Sequence, residues 1–431
     1  MPPAAVRLLA DDPAVEAVKF DARIAGPSIQ ASGFVEKEWN LRTIYAHFLW
    51  DLGYTGQNVV LGSLDTGVDL QHPLLQGQWR GGENSWFDPN GEHDAPSDRS
   101  GHGTQIMGLM VAGETPDGTA IGVAPGAMWI AAKIFNDAGV APLSSIHAAF
   151  QWVLDPDGQS ETDDAPDVVV NSWEFAAANK CVDEFQNDID TLRTAGIALV
   201  FIAGNFGPNA ATSASPGNNG NTFSVGSVDF FSEVSDFSSR GPSACDGRIF
   251  PDVTAPGESV DTTDLSLGGF PNIVTVDGTS MAAPHAAGAM ALLLSAFREA
   301  SIPHLENALR VTAFHPLCAA PDNDYGYGIL NVLGAYLRLI HTVGCPDDLN
   351  RDGIVEEADI QLLAREFGES DCAGVGGCAG DMNFDNRLDG IDLSEFALRY
   401  GEIACPVYPL PYDLPQGDSA RDGCTPLPDD L

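Results

Sequence analysis

The sequence predicts an α/β protein, a parallel sheet with helices on both faces, followed by a small all-α module. Three observations predict this. Residues 40–340 alternate short apolar runs with segments of helical spacing, the pattern of strands buried on both faces and joined by helical crossovers. After residue 344 the composition changes, and two acidic segments, 348–368 and 381–401, repeat at an offset of 33 residues. No run of about 18 apolar residues interrupts the chain, so no membrane insertion is expected.

In chain order, the N-terminus "MPPAAVRLLADD" lacks the form of a signal peptide, because its apolar stretch is short and acidic residues follow at once. Strands are expected at 58–64, 127–135, 166–173 and 197–204, each ending in a polar or Gly-rich turn. Helices are expected at 102–113, 144–154 and 183–196. A late helix, "MAAPHAAGAMALLLSAFREA", reads from Met281 to about Ala300. With Met281 first, Pro284 would fall among the four N–H groups that lack an intrahelical partner. Taken alone, Ser280 reads first as the cap of that helix. The final stretch, 404–431, is rich in Pro and Asp and is expected to be extended or disordered.

The chain carries 20 basic and 61 acidic side chains, a formal net charge of −41. That argues against nucleic acid or an anionic membrane as partner. It suits an exported protein and the binding of hard cations such as Ca2+. Hydrophobic residues make up 44% of the chain, enough for a globular core. The eight cysteines show no CxxC, and five of them (Cys345, Cys372, Cys378, Cys405 and Cys424) follow residue 340. An even count in such a tail favours disulfides and an oxidising compartment, with the pairing open.

In a sheet of this kind the active site lies beyond the carboxyl ends of the strands. Asp65 ends an apolar run in "SLDTGVD", His102 starts a helix in "SGHGTQIMG", and Ser280 starts the late helix. A serine hydroxyl becomes a nucleophile only when a base takes its proton, and that base needs a carboxylate to orient it. Asn205, in "FIAGNFG", follows a strand where its amide could donate to an oxyanion. Three other residues read as structural: His285 as packed, His72 as a loop residue and Asp69 as a turn cap.

The stretches "DTGVD", "GHGT", "AGN" and "GTSMAAPH", in this order, resemble the subtilisin-like serine peptidases. "GVAPGA", "DFSSRGP", "PDVTAPG" and "DYGYGILN" add to the match, which covers roughly residues 35–340. The resemblance implies a subtilisin-like fold over 31–342, an Asp65–His102–Ser280 triad, and Asn205 with the Ser280 N–H as oxyanion donors. It implies a protein or peptide substrate, added as a strand beside "NSWEF", with Ser172, Trp173, Glu174, Gly204 and Phe206 lining the cleft. Glu174 stands where the family has glycine; its carboxylate would narrow the cleft or favour a basic substrate residue, whereas Phe206 argues for an apolar one. Residues 6–24 resemble the end of the family's inhibitory propeptide, which makes 1–30 a propeptide remnant and the protein a secreted zymogen. The mature chain would then start between about residues 25 and 40.

The acidic repeats have calcium-loop spacing. In the first, Asp348, Asn350, Asp352, Glu356 and Asp359 take positions one, three, five, nine and twelve, with the Ile354 carbonyl at seven. In the second, Asp381, Asn383, Asp385, Asp389 and Asp392 take the same places, with the Arg387 carbonyl at seven. "CAGVGGCAG" precedes Asp381 and does not suit a helix, so only the outgoing helices, in "IQLLAREF" and "LSEFALRY", are expected. Tandem half-hands of this kind resemble type I dockerin modules, over 345–403. The resemblance implies a cohesin-like partner, although loop positions ten and eleven, Glu357–Ala358 and Gly390–Ile391, lack a hydroxyl pair. The module would otherwise tether or brace the protein.

Two classes of function follow. One is a secreted serine endopeptidase with an intact triad. The other is a silent peptidase fold that serves as a binding scaffold.

Overall fold

The computed structural model describes residues 19, 21–27, 30–31, 38–316, 321–344, 349, 355–368, 380–381 and 387–400. The strands are β1 (Arg23–Ala25), β2 (Gln30–Ala31), β3 (Val60–Asp65), β4 (Trp86–Phe87), β5 (Met128–Lys133), β6 (Val140–Pro142), β7 (Val168–Asn171), β8 (Ala198–Ile202), β9 (Phe223–Val228), β10 (Val253–Pro256), β11 (Val260–Thr263) and β12 (Ile273–Asp277). The helices are α1 (Trp39–Thr43), α2 (Ala46–Asp51), α3 (His102–Val111), α4 (Leu143–Leu154), α5 (Gln186–Thr194), α6 (Thr279–Ala296), α7 (Ile302–Val311), α8 (Val332–Leu339), α9 (Glu357–Glu366) and α10 (Gly390–Arg399).

Seven strands form the central sheet in the order β10-β9-β8-β7-β3-β5-β4, and every pairing in it is parallel. Successive side chains of a strand face opposite ways, and here both faces are apolar. Val168, Val170, Ala198, Val200 and Ile202 join a core with α3, α6, α7 and α8. Their neighbours Val169, Leu199 and Phe201 join a second core with α4 and α5. Strands buried on both sides read as continuous apolar runs, which is why the sequence reveals them. β3 lies between β5 and β7, so the strand order reverses beside it and a crevice opens at its carboxyl end. Asp65 is the last residue of β3.

The N-terminal segment adds to two sheet edges. β1 runs antiparallel to β6, and β2 runs antiparallel to the end of β12. Residues 1–18, the bulk of the expected propeptide remnant, lie outside the described residues, as does the 404–431 tail.

Two expectations about the late helix are corrected. α6 begins at Thr279 rather than Met281, with Gly278 as its N-cap at φ 146°. Ser280 is therefore the second helical residue and not the cap. Pro284 is then the sixth, and its missing N–H would have served the Ser280 carbonyl. The Ser172 hydroxyl donates to that carbonyl instead, at 3.3 Å.

Beyond α8, the helices α9 and α10 bury Val355, Leu363, Leu388 and Phe396 in a small core of their own. Among the described residues, no helix is long and apolar enough to cross a membrane.

Candidate active site

Asp65 and His102 meet because two loops cap α3 from outside. Gly101 supplies no side-chain cap to this helix. The Gly103 N–H donates to Thr66 Oγ1 at 2.8 Å, and the Thr104 N–H donates to Asp98 Oδ2 at 3.0 Å. Gly103 also lies against the turn after β3, so closely that a β-carbon there would stand 2.1 Å from the Gly67 carbonyl. The approach places His102 Nδ1 at 2.8 Å from Asp65 Oδ1. Both residues are 1% exposed. Asp65 Oδ1 also accepts the Thr66 N–H at 2.7 Å. A carboxylate on Nδ1 fixes the tautomer that leaves Nε2 as the free base, and His102 Nε2 has no protein partner among the described residues.

Ser280 lies in the first turn of α6, where N–H groups have no partner inside the helix and the helix dipole favours negative charge. Its hydroxyl donates to the Ser172 carbonyl at 3.3 Å, so the Ser280–His102 hydrogen bond is not made here. Such bonds commonly tighten only when substrate arrives. The Asn205 carboxamide is held by its oxygen, which accepts from the Thr279 N–H and hydroxyl, each at 2.9 Å. That hold leaves Nδ2 as the donating end, and it faces the Glu174 carboxyl.

The remaining cleft residues divide by face. Trp173 is buried against Phe150 and Phe185, so it can offer the cleft only its main chain. Glu174 crosses to the turn after β8, where its Oε2 accepts the Asn205 N–H at 3.1 Å. Burial raises the Glu174 carboxyl to about pKa 7, partly offset by hydrogen bonds from the Asn205 main chain and side chain. Gly204 adopts φ +107°, and Phe206 is half-buried with its N–H on Ser239 Oγ at 3.1 Å.

His285 is packed as expected, fully buried between Asn40 Nδ2 and the Met281 carbonyl, each at 2.8 Å. Asp69 does hold a turn, through the Gln71 N–H, and also grips Ser266. His72 is the loop residue expected. It is fully buried there, facing the Asn272 main chain across 200 residues of sequence. Sequence reading missed Thr279, which fixes Asn205, and Lys133, whose buried ammonium donates to the Thr66 carbonyl at 2.7 Å. The signal for Lys133 was a lone cation inside an otherwise apolar run.

Of the expected calcium ligands, Asp348, Asn350, Asp352, Ile354, Asn383 and Asp385 lie outside the described residues. Glu356, Asp359, Asp381, Arg387, Asp389 and Asp392 lie within them. Asp359 and Asp392 are fully buried and accept the Glu356 and Asp389 N–H groups, both at 2.8 Å, as capping boxes. Cys181 and Cys245 form a disulfide across 64 residues of sequence. The cysteines after residue 340 lie outside the described residues.

The model of the subtilase family matches residues 56–328. Bacillopeptidase F of Bacillus subtilis (strain 168) is 38% identical over 349 residues, covering 75% of this chain and 24% of its own length. The chain thus spans about a quarter of that relative. Subtilisin E of the same organism is 32% identical over 333 residues, covering 77% of this chain and 78% of its own. Subtilisin DY of Bacillus licheniformis is 31% identical over 289 residues, covering 66% of this chain and 92% of its own.

Proposed function

The chain belongs to the subtilase family of serine endopeptidases, and from that premise we propose that Ser280 is its nucleophile, His102 the base, Asp65 the orienting carboxylate and Asn205 an oxyanion donor. The observation that carries this reading is the buried 2.8 Å contact between His102 Nδ1 and Asp65 Oδ1, with Nε2 left free. His102 Nε2 takes the Ser280 proton as Oγ bonds to the scissile carbonyl carbon. Asp65 stabilises the imidazolium that forms. The oxyanion is met by Asn205 Nδ2 and the Ser280 N–H. The tetrahedral intermediate then collapses, the C–N bond breaks, and the proton on Nε2 passes to the leaving amine. Water, deprotonated by the same nitrogen, releases the acyl group from Oγ.

The substrate is a protein or peptide added as a strand beside residues 172–174, with Gly204, Asn205 and Phe206 opposite. The N-terminal segment supports a zymogen, because β2 lies on Val276 and Asp277, immediately before Gly278 and Ser280. In this reading residues up to about 30 are the remnant of an inhibitory propeptide. The Cys181–Cys245 disulfide and the charge of −41 favour an exported protein.

For the 345–403 module the reading is a dockerin-like calcium-binding unit. Buried Asp359, Asp381 and Asp392 are hard oxygen donors on a small helical core, a donor set that fits Ca2+. Bound there, the ion would brace the start of each helix. A cohesin-like protein is the partner this reading carries.

Labelling with a serine-directed fluorophosphonate tests the enzyme reading. Wild type should label and Ser280→Ala should not. An unlabelled wild type after activation would leave the binding-scaffold reading. For the module, chelation with EDTA should lower helix content, and unchanged circular dichroism would remove the calcium assignment.

A further inference from the structure

Among the described residues Glu174 pairs with no cation, and its carboxyl hydrogen-bonds only to Asn205. Its main chain continues β7, two residues beyond the Ser172 carbonyl that accepts the Ser280 hydroxyl. With Trp173 turned into the core, the Glu174 side chain turns the other way, toward the turn at 203–206. There Oε2 takes the Asn205 N–H at 3.1 Å. The same oxygen stands 2.4 Å from the place a β-carbon on Gly204 would occupy, so only glycine at 204 makes room for the carboxyl. A β-carbon there would also stand 2.6 Å from the Ala214 β-carbon and 2.9 Å from Ser239 Oγ.

The hydrogen bonds found for the carboxyl among the described residues come from Asn205 alone. Its chain neighbours Ser172, Trp173 and Phe175 carry no charge, and the 203–207 turn contributes the main-chain and side-chain amides of Asn205. Ser239 Oγ takes the Phe206 N–H at 3.1 Å, and its neighbour Arg240 is paired with Asp324 at 3.2 Å. Among the described residues no cation forms an ion pair with Glu174.

On the reading that Ser280 and Asn205 act on the scissile carbonyl, the side chain on its acyl side is the substrate group nearest this carboxyl. We infer that Glu174 is the specificity determinant for that side chain, taking a lysine or arginine when ionised and an apolar group when neutral. A desolvated carboxylate gains a charge-assisted hydrogen bond from a cationic side chain. An apolar side chain covers the same group at less cost when the group carries a proton. Because burial brings the carboxyl to about pKa 7, both forms are populated near neutrality. A cationic side chain favours the ionised form, so cleavage after lysine gains as pH rises. Cleavage after leucine gains, relative to lysine, as pH falls.

The test uses the activated full chain and two peptide anilides that differ only in Lys or Leu before the scissile bond. Their ratio of kcat/KM, followed from pH 5.5 to 8.5, cancels the titration of catalytic groups common to both. In wild type the Lys/Leu ratio should rise about tenfold or more across this range. In Glu174→Gln, which keeps the shape, and in Glu174→Gly, the ratio should be flat and the lysine preference lost. A flat ratio in wild type, or an unchanged slope in both variants, overturns the inference while leaving the triad standing. Cleavage of neither substrate, or cleavage that survives Ser280→Ala, brings down the triad reading and the inference with it.

Discussion

The hydroxyls of Ser172 and Ser280 each donate to the other's main-chain carbonyl, both at 3.3 Å. The exchange joins the end of β7 to the first turn of α6 across 108 residues of sequence. It exists because Pro284 has no N–H to give the Ser280 carbonyl. Ser172→Ala should leave that buried carbonyl unpaired and cost about 1–3 kcal/mol of stability. In a Pro284→Ala background the helix supplies its own N–H, and the same change should cost less than half as much. A double-mutant cycle by urea unfolding reads the difference. Equal costs in the two backgrounds would refute the link to Pro284.

Asn205 is held at its oxygen by Thr279, and its nitrogen, which faces the Glu174 carboxyl, is the proposed oxyanion donor. Asn205→Leu should therefore lower kcat by about 10²–10³, the typical loss for a donor of this kind, with KM little changed. Thr279→Val keeps the N–H hold and loses the hydroxyl, so its loss should be far smaller. Steady-state kinetics on one anilide substrate would rank the two. A KM effect as large as the kcat effect would mean that Asn205 binds ground state and transition state alike.

Gly103 permits the approach that brings His102 to Asp65. A β-carbon there would lie 2.1 Å from the Gly67 carbonyl, and α3 or the turn would have to move. Gly103→Ala should lower kcat/KM about 10²-fold, the scale of a 1 Å misplacement, and cost about 1–3 kcal/mol of stability. Gly113→Ala, where the nearest atom would be 3.8 Å away, is the matched control. Full activity in Gly103→Ala would show that the loop yields without disturbing the pair.

The strands carrying Asp65 and Asn205 were legible in the sequence because burial on both faces writes a continuous apolar run. β9 and β10 are not among the strands expected, because Ser and Thr interrupt their apolar runs. Inside the fold those hydroxyls find partners, as Ser224 does on Asp252 at 2.8 Å. The helix start was misread by two residues because Gly278, Thr279 and Ser280 all suit a cap, and what decides is a contact with Asn205 across 74 residues. The burial of His72 depends likewise on Asn272, far away in sequence. Residue types at the site were visible locally, while the groups that hold them come from distant segments.

His285 gives the fold a pH dependence whose sign can be worked out. Its Nε2 faces Asn40 Nδ2 and its Nδ1 faces the Met281 carbonyl, which fits a neutral ring donating from Nδ1. Complete burial lowers its pKa to about 4, against a slight rise from the Met281 hydrogen bond. Unfolded histidine titrates near 6.5. Above that pH both states are neutral and His285 adds no slope. Between about 6.5 and 4 the unfolded chain binds a proton that the folded chain refuses, so stability falls as pH falls. The full loss is about 3 kcal/mol, and it levels off below pH 4. His285→Gln keeps an acceptor and a donor without the titration. The wild-type minus variant difference in unfolding free energy, measured from pH 7.5 to 4, should decline with this slope. A flat difference would mean that the folded state protonates His285 as readily as the unfolded chain does.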